Sequence, residues 1–184
     1  MQGVVSLLDD THRARLEQLQ TGLEQALGEP GLCRTPIAHF SYHVAEEYDP
    51  DMLAATLLSF AASNMRFRVR TSGFGVFTRV NPVLYIPLVR SPLLSALHNV
   101  LWRQLSRASS GASIHYHPDW WLPHITLASG EGLAERLPDL VGLLSGLDLS
   151  WDIEISNIAL LYGQGEALEI RFRQELIPER RTKD

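Results

Sequence analysis

The chain has 184 residues, of which 45% are hydrophobic and 20% are charged, as is typical of a globular protein with one substantial core or two small lobes. Its formal net charge of −5 argues against a protein that coats long nucleic acid with a broad basic surface, although a small cluster of donors could still bind one terminal phosphate. Cys33 is the only cysteine, which excludes an intrachain disulfide and a multi-cysteine zinc site and predicts a cytoplasmic protein. No apolar stretch reaches the roughly 20 residues of a membrane helix, and we expect no membrane association.

The N-terminal region predicts a strand followed by a long helix. Residues 4–8 form an apolar run that is bounded by Asp9, Asp10 and Thr11, which are residue types that cap helices. An apolar stripe at helical spacing then leads to Gly28, a residue type that commonly ends helices. A loop rich in glycine and proline follows and separates these elements from the first functional motif.

Two short segments share a histidine, one intervening residue and a hydroxyl residue, with a proline shortly before. The pairs are His39 with Ser41 and His124 with Thr126, and each residue of the second pair lies 85 positions after its counterpart. Residues two apart in a strand project to the same side, so each histidine should share a face with its hydroxyl residue. One such pair carries little information, whereas two pairs at equivalent places of a repeated unit predict one active site built from two halves.

The segments that follow the two motifs also correspond. A unit of strand, helix, strand, strand, strand occurs twice, over about 36–89 and about 121–173. The predicted helices are 52–60 and 133–144, and the later strands are 66–70, 73–77 and 83–86 in the first unit and 151–155, 158–162 and 167–170 in the second. Between the units, Ser91 and Pro92 predict the start of another long helix.

The arrangement of these elements predicts an α+β fold with antiparallel strand clusters. No low-complexity linker separates the units, so we expect a single domain over 1–177. The charged residues 178–184 should form a flexible tail.

Two histidines that face each other across a cleft provide an acid and a base near neutral pH, because unperturbed imidazole titrates near pH 6.5. The neutral ring would take a proton from an attacking water or hydroxyl, and the protonated ring would give one to the leaving oxygen. Each such transfer typically contributes about 10²–10⁴-fold to the rate. The hydroxyl groups of Ser41 and Thr126 would donate hydrogen bonds to the non-bridging oxygens of a bound phosphate. This chemistry needs no metal, and we expect no cofactor.

The segments His39-Phe40-Ser41 and Pro123-His124-Ile125-Thr126-Leu127 resemble the two signatures of the 2H phosphoesterase superfamily, and the nearest group is that of the bacterial 2′-5′ RNA ligase and RNA 2′,3′-cyclic phosphodiesterase proteins. The resemblance covers nearly the whole chain. It implies two pseudo-symmetric lobes, each an antiparallel sheet with helices on its outer face, around a central cleft.

The resemblance also implies a function. Members of the group hydrolyse 2′,3′-cyclic phosphates to 2′-phosphomonoesters, and some join or split 2′-5′ linked RNA. The expected partners are therefore RNA with 2′,3′-cyclic phosphate ends or small cyclic nucleotides, bound by a monomer. By analogy, His39 and His124 would be the acid and the base, and Ser41 and Thr126 would hold the phosphate. Which histidine is the acid is left open.

Two other interpretations remain open. The first is a binding module that holds RNA ends or nucleotides without turnover, which is favoured by the acidic charge and by Ala128-Ser129-Gly130-Glu131 where RNA-acting members of the group often have an arginine. The second is a metal-dependent hydrolase that uses His115, His117 and His124, since a His-x-His pair can bind a metal.

Several further residues are candidates for contact with the substrate. Alternation along the strand places His43 on the same face as His39. Aromatic side chains could stack on a base, and the alternating arginines of 66–70, or those of the last strand, could form a basic wall near the phosphate. The candidate contacts are His43, Trp120, Trp121, Phe74 and Arg171.

Overall fold

The computed structural model describes residues 2–33, 36–163 and 167–178. The four α-helices of this part of the chain lie where the sequence predicts them, with slightly different ends. They are α1 (Asp10–Leu27), α2 (Pro50–Ser63), α3 (Pro92–Leu105) and α4 (Leu133–Leu144). The strands are β1 (Gln2–Leu7), β2 (His39–Ala45), β3 (Glu47–Tyr48), β4 (Phe67–Arg70), β5 (Gly75–Phe77), β6 (Val83–Pro87), β7 (Ser109–Ser110), β8 (His124–Ser129), β9 (Asp152–Ile155), β10 (Asn157–Tyr162) and β11 (Glu169–Glu175).

The helix ends follow the capping residues. The carboxylate of Asp9 accepts a hydrogen bond of 2.8 Å from the backbone N–H of His12, which satisfies one of the free donors at the start of α1. Gly28, with a φ of 69°, ends the same helix in the left-handed conformation that glycine adopts without strain. Ser91 caps α3 through a bond of 3.2 Å from the backbone N–H of Leu94. These helices therefore begin and end for local reasons that the sequence contains.

The strands form two main antiparallel sheets and two short antiparallel pairs. One main sheet has the order β11-β10-β1-β2, and the other has the order β5-β6-β8. The pairs are β3 with β7 and β4 with β9. Helices α2 and α3 pack against the first sheet, whereas α1 and α4 pack against each other and α1 against β8 of the second. The α+β architecture of two sheet-and-helix lobes is confirmed.

The two repeats exchange strands. β2 carries the first motif but shares its sheet with β10 and β11 of the second repeat. β8 carries the second motif but pairs with β6 of the first repeat. β4 and β9, one from each repeat, pair with each other. Each lobe is therefore built from both repeats, which the sequence did not predict.

Most of the buried side chains form one continuous hydrophobic core. It includes Phe40 and Tyr42 of β2, Ile125 and Leu127 of β8, and Trp151 just before β9, all at most 2% exposed. The two motif strands thus rest on the same packed interior, and burial of this apolar surface stabilises their relative placement.

No helix in the described ranges is long and apolar enough to cross a membrane. Of the predicted tail, only Pro178 lies within the described residues, so the expected flexibility of 178–184 stays a prediction.

Candidate active site

A cleft of about 770 Å³ lies between the sheet that contains β2 and the sheet that contains β8. His39 and Ser41 line it from one side, and His124 and Thr126 line it from the other. The described residues of its wall include no aspartate or glutamate, although the chain as a whole has a net charge of −5. The cleft is therefore locally suited to an anion in a protein that is acidic overall.

The first motif strand contains a β-bulge directly after its hydroxyl residue. Adjacent residues of β1 pair with Ser41 and His43, so that Tyr42 is the extra residue of β2. An extra residue reverses the alternation of side chains beyond it. After His39 and Ser41, the next residue of β2 to line the cleft is accordingly Val44, and His43 turns into the interior.

The second motif strand contains the same irregularity. Adjacent residues of β6 pair with Thr126 and Ala128, so that Leu127 is the extra residue of β8. After His124 and Thr126, the next residue of β8 to line the cleft is Ser129. The bulge of β8 thus lies 85 positions after that of β2 in the chain, and each of the three cleft-lining residues of β8 lies 85 positions after its counterpart in β2. The equivalence of the two motifs extends from residue type to backbone geometry.

The two imidazole rings are oriented in the same way. The Nδ1 of His39 lies 2.7 Å from the carbonyl oxygen of Ile37, and the Nδ1 of His124 lies 2.8 Å from that of Leu122. In both cases the carbonyl belongs to the residue two positions earlier. A carbonyl oxygen only accepts, so Nδ1 donates its proton, and the lone pair of each neutral ring is on Nε2. Each ring is thereby held in the tautomer whose Nε2 can take or give a proton.

The surroundings favour the neutral form of both rings. Burial lowers the pKa of His39, and the nearby His124 lowers it further, against the opposing effect of the Ile37 carbonyl. Burial likewise lowers the pKa of His124, the Leu122 carbonyl opposes this, and the cation of Arg79 lowers it further. Both rings line the same cleft, and a charge on His124 disfavours a charge on His39. A bound anion between them would favour protonation of one ring.

The sequence reasoning missed two groups that complete the site. Arg79, in the connection between β5 and β6, lines the cleft and acts on the pKa of both His124 and Tyr116. Tyr116 also lines the cleft, where burial raises the pKa of its phenol and the nearby Ser41 opposes this effect. Neither residue belongs to a recognisable motif. Only the pairing of β6 with β8, which brings the β5–β6 connection to the second motif, could have pointed to Arg79.

Aromatic rings fix the position of His124. The ring of Phe77 lies 4.9 Å from that of His124 in an edge-to-face arrangement, and the ring of Tyr85 lies 5.3 Å away. Phe77 and Tyr85 stack on each other at 4.1 Å. Gly75 makes room for this arrangement, because a Cβ at that position would lie 2.6 Å from the Tyr85 ring. The second histidine is thus packed against a preformed wall and is not free to rotate.

The family model of the 2′-5′ RNA ligase superfamily matches residues 8–167. The chain belongs to this superfamily. Among solved structures, TT0787 of Thermus thermophilus is similar with a TM-score of 0.68 and 19% identity, over 97% of this chain and 98% of that chain. LigT of E. coli complexed with 3′-AMP is similar with a TM-score of 0.61 and 19% identity, over 95% of this chain and 97% of that chain. At such identity the two structures establish a shared fold. A comparison with curated protein sequences finds no significant match.

The structure of this superfamily member corrects several predicted contacts. His43 is 0% exposed and does not line the cleft, because the bulge at Tyr42 turns it inward, where its Nδ1 lies 2.6 Å from the hydroxyl of Tyr48. Trp121 is 2% exposed and is part of the core. The contact that alternation predicted for His43 and the stacking role considered for Trp121 are therefore wrong.

Two further candidate contact residues, Phe74 and Arg171, also lie outside the cleft. Phe74 packs against the hydrophobic core and is not among the cleft-lining residues. Arg171 is exposed, pairs with Glu169 at 2.7 Å and covers the ring of Tyr162 at 3.6 Å. Trp120 does line the cleft and is 74% exposed, so its contact with a substrate stays a prediction.

The other predicted arginines of the superfamily member form ion pairs at the pairing of β4 with β9. Arg66 lies 3.3 Å from Glu154, and Arg68 lies 2.8 Å from Asp152. They do not line the cleft, so the basic wall expected from 66–70 is absent from the described part of it. Within the described residues, no group of three or more histidine, cysteine, aspartate or glutamate side chains is placed to hold a metal ion.

Proposed function

We propose that the protein is a metal-independent phosphoesterase that hydrolyses 2′,3′-cyclic phosphates of RNA ends or nucleotides to 2′-phosphomonoesters. The observation that supports this most directly is the placement of two histidines, equally oriented by backbone carbonyls, on opposite sides of one cleft that also contains the hydroxyl groups of Ser41 and Thr126. Membership of the 2′-5′ RNA ligase superfamily agrees with it. With the 5′ hydroxyl of a second RNA end in place of water as the nucleophile, the same attack on the cyclic phosphate would form a 2′-5′ phosphodiester and release the 3′ oxygen, as in a 2′-5′ RNA ligase reaction.

The proposed hydrolysis uses one histidine as base and the other as acid. The Nε2 of the neutral ring takes a proton from water, and the water oxygen forms a bond to phosphorus on the side opposite the 3′ oxygen. The bond between phosphorus and that oxygen breaks, and the protonated ring gives its proton to the departing 3′ oxygen. The product carries a 2′-phosphate and a free 3′ hydroxyl. The two rings have exchanged protonation states, and bulk solvent restores them.

The groups around the phosphorus atom would stabilise the transition state. Ser41 and Thr126 project into the cleft beside the two histidines, where their hydroxyls can donate to the non-bridging oxygens. Arg79 supplies the positive charge. The lack of acidic side chains among the described residues of the wall means that no carboxylate there repels the developing charge.

A nucleotide is the favoured substrate class. LigT of E. coli has been crystallised with 3′-AMP, with ATP and with NADP+. In this chain, Trp120 lines the cleft, is 74% exposed and offers a flat apolar surface on which a base could stack. We propose that the protein acts as a monomer in the cytoplasm, since one chain supplies every group of the proposed mechanism.

The test is hydrolysis of adenosine 2′,3′-cyclic phosphate by the wild type and by His39→Ala and His124→Ala. Each substitution should lower kcat by about 10²–10⁴-fold, because each removes one proton transfer. Circular dichroism should show that both variants remain folded. His12→Ala is the matched control, since His12 lies on α1 and does not line the cleft.

Three results would count against the proposal. Full activity in either cleft variant would remove that histidine from the mechanism. Loss of activity in EDTA that added zinc or manganese restores would favour a metal-dependent reaction. Tight binding of the cyclic nucleotide without any 2′-AMP as product would favour the binding module.

A further inference from the structure

Trp121 lies in the interior, bonds to the first motif and immediately precedes the segment of the second. It is 2% exposed, and its indole Nε1 donates a hydrogen bond of 2.9 Å to the carbonyl oxygen of Ser41. In the chain it is three residues before His124. One side chain thus connects the strand of the first motif with the segment that leads into the second.

The acceptor of this hydrogen bond is part of the bulge in β2. A bulge interrupts the regular ladder, so backbone groups next to it need partners from elsewhere. Trp121 bonds to the carbonyl of Ser41, and the Nε2 of His98 lies 3.0 Å from the carbonyl oxygen of Tyr42, the bulged residue. The ring of His98 stacks on that of Trp121 with 3.7 Å between centroids and 4° between planes. Two stacked rings therefore bind two successive carbonyls at the point where β2 departs from regular geometry.

The other end of the connection is also fixed. The backbone N–H of Trp121 donates to the carbonyl of His117 at 2.8 Å, and its own carbonyl accepts from Arg90 at 3.3 Å. Arg90 donates in addition to the carbonyl of Pro118 at 2.5 Å. The segment before β8 is thereby held against the start of α3. A shift of β2 relative to β8 would have to break the hydrogen bond between Trp121 and Ser41.

We propose that Trp121 is a positioning residue whose indole N–H, through the carbonyl of Ser41, sets the first motif at its working distance from the second. The proposal rests on the proposed function for its effect on the rate. The role itself concerns the geometry of the two histidines and can be measured without catalysis.

The test compares Trp121→Phe with Trp151→Phe. Phenylalanine keeps an aromatic ring for His98 to stack on and removes the N–H donor. Trp151 is 1% exposed, does not line the cleft, and within the described structure its Nε1 has no hydrogen-bond partner, so the same substitution there removes no hydrogen bond. Well below the melting temperature, Trp121→Phe should lower kcat by about tenfold, since small displacements of reacting groups are costly. Trp151→Phe should leave kcat within about twofold of the wild type.

A second readout is the titration of the His39 ring by NMR. The titratable and charged groups that line the cleft together with this ring are His124 from β8, Arg79 from the β5–β6 connection, and His115 and Tyr116 from the segment before β8. Burial and the neighbouring His124 hold the pKa of His39 below its ordinary value, so a looser cleft should raise it. We expect the rise in Trp121→Phe and no change in Trp151→Phe.

The outcomes separate the two proposals. An unchanged kcat and an unchanged His39 titration in Trp121→Phe, or changes equal to those in Trp151→Phe, would overturn the positioning role. A wild type that does not hydrolyse cyclic phosphates would refute the proposed function, while the titration would still test the role of Trp121. If Trp121→Phe does not fold, benzothienylalanine at position 121 keeps the bicyclic shape and replaces only the N–H with sulfur, and the same two measurements apply.

Discussion

Two buried histidines outside the cleft, His43 and His98, should make the stability of the protein depend steeply on pH. Both are 0% exposed, and burial is the main cause that lowers the pKa of each to about 4. A charge on His98 also disfavours a charge on His43, as shown by its effect on the pKa of His43. In the unfolded chain both imidazoles return to the ordinary value of about 6.5.

The sign and the size of the effect follow from linkage. Between pH 6.5 and pH 4 the unfolded chain binds a proton at each imidazole and the folded chain does not, so the free energy of unfolding decreases as the pH falls through this window. With a folded pKa of about 4, each histidine lowers the free energy of unfolding by roughly 2 kcal/mol between pH 7 and pH 5. This is a large part of the roughly 5–15 kcal/mol by which a typical domain is stable.

Urea unfolding at pH 7, 6 and 5, followed by tryptophan fluorescence, measures this dependence. His43→Phe removes one titrating group and should reduce the loss of stability between pH 7 and pH 5 by about 2 kcal/mol. Any change in the free energy of unfolding that the substitution causes equally at both pH values cancels when the two values are subtracted. Tyr48→Phe is the control, because it removes the hydroxyl that bonds to His43 but leaves the imidazole to titrate. If His43→Phe loses as much stability as the wild type over this range, the buried ring is not a source of the dependence and the reasoning is refuted.

Three further predictions concern the cleft. Because the pKa of both His39 and His124 lies below the ordinary value, the bell-shaped profile of kcat/KM should have its maximum below about pH 6.5, and a maximum above about pH 7.5 would contradict the described electrostatics. Arg79→Gln should weaken binding of inorganic phosphate by about tenfold and raise the pKa of His124, whereas Arg79→Lys should retain most of the affinity; calorimetry and NMR titration measure the two effects. Trp120→Ala should raise KM for a cyclic nucleotide by about tenfold with little change in kcat, and Trp120→Phe should not, while equal KM values for the two variants would exclude stacking.

The sequence predicted the positions of the elements well because the signals for them are local. Asp9, Ser91 and Gly28 mark helix ends by their own hydrogen bonds or backbone conformation, and the alternation of β4 reports its one buried face. The motif residues were found for a related reason, since the spacing of two residues in a strand places each hydroxyl beside its histidine.

The errors of the sequence reasoning arise where geometry depends on a partner strand. Alternation predicted that His43 faces the cleft, but the bulge at Tyr42 is defined by the pairing with β1 and leaves no local mark. Trp121 was only one of several candidate contacts with the substrate, and its place in the core follows from an acceptor, the carbonyl of Ser41, that is 80 positions away in the chain. Arg79 was overlooked because its place in the cleft follows from the order of the strands in the sheet. The periodicity of a single sequence does not contain information about such non-local pairings.

The exchange of strands between the repeats has consequences for the evolutionary origin of the fold and for the folding of fragments that contain one repeat. In a fragment with residues 36–89, the strand that carries the first histidine, β2, would lack its hydrogen-bonding neighbour β1. The edge of β6 that pairs with β8 in the whole chain would be unpaired. Two copies of an ancestral half could pair these free strand edges if each copy contributed its motif strand to the sheet of the other, as in a domain-swapped dimer. Gene fusion of such a dimer would give a chain with this strand order, in which each histidine is presented by the opposite half.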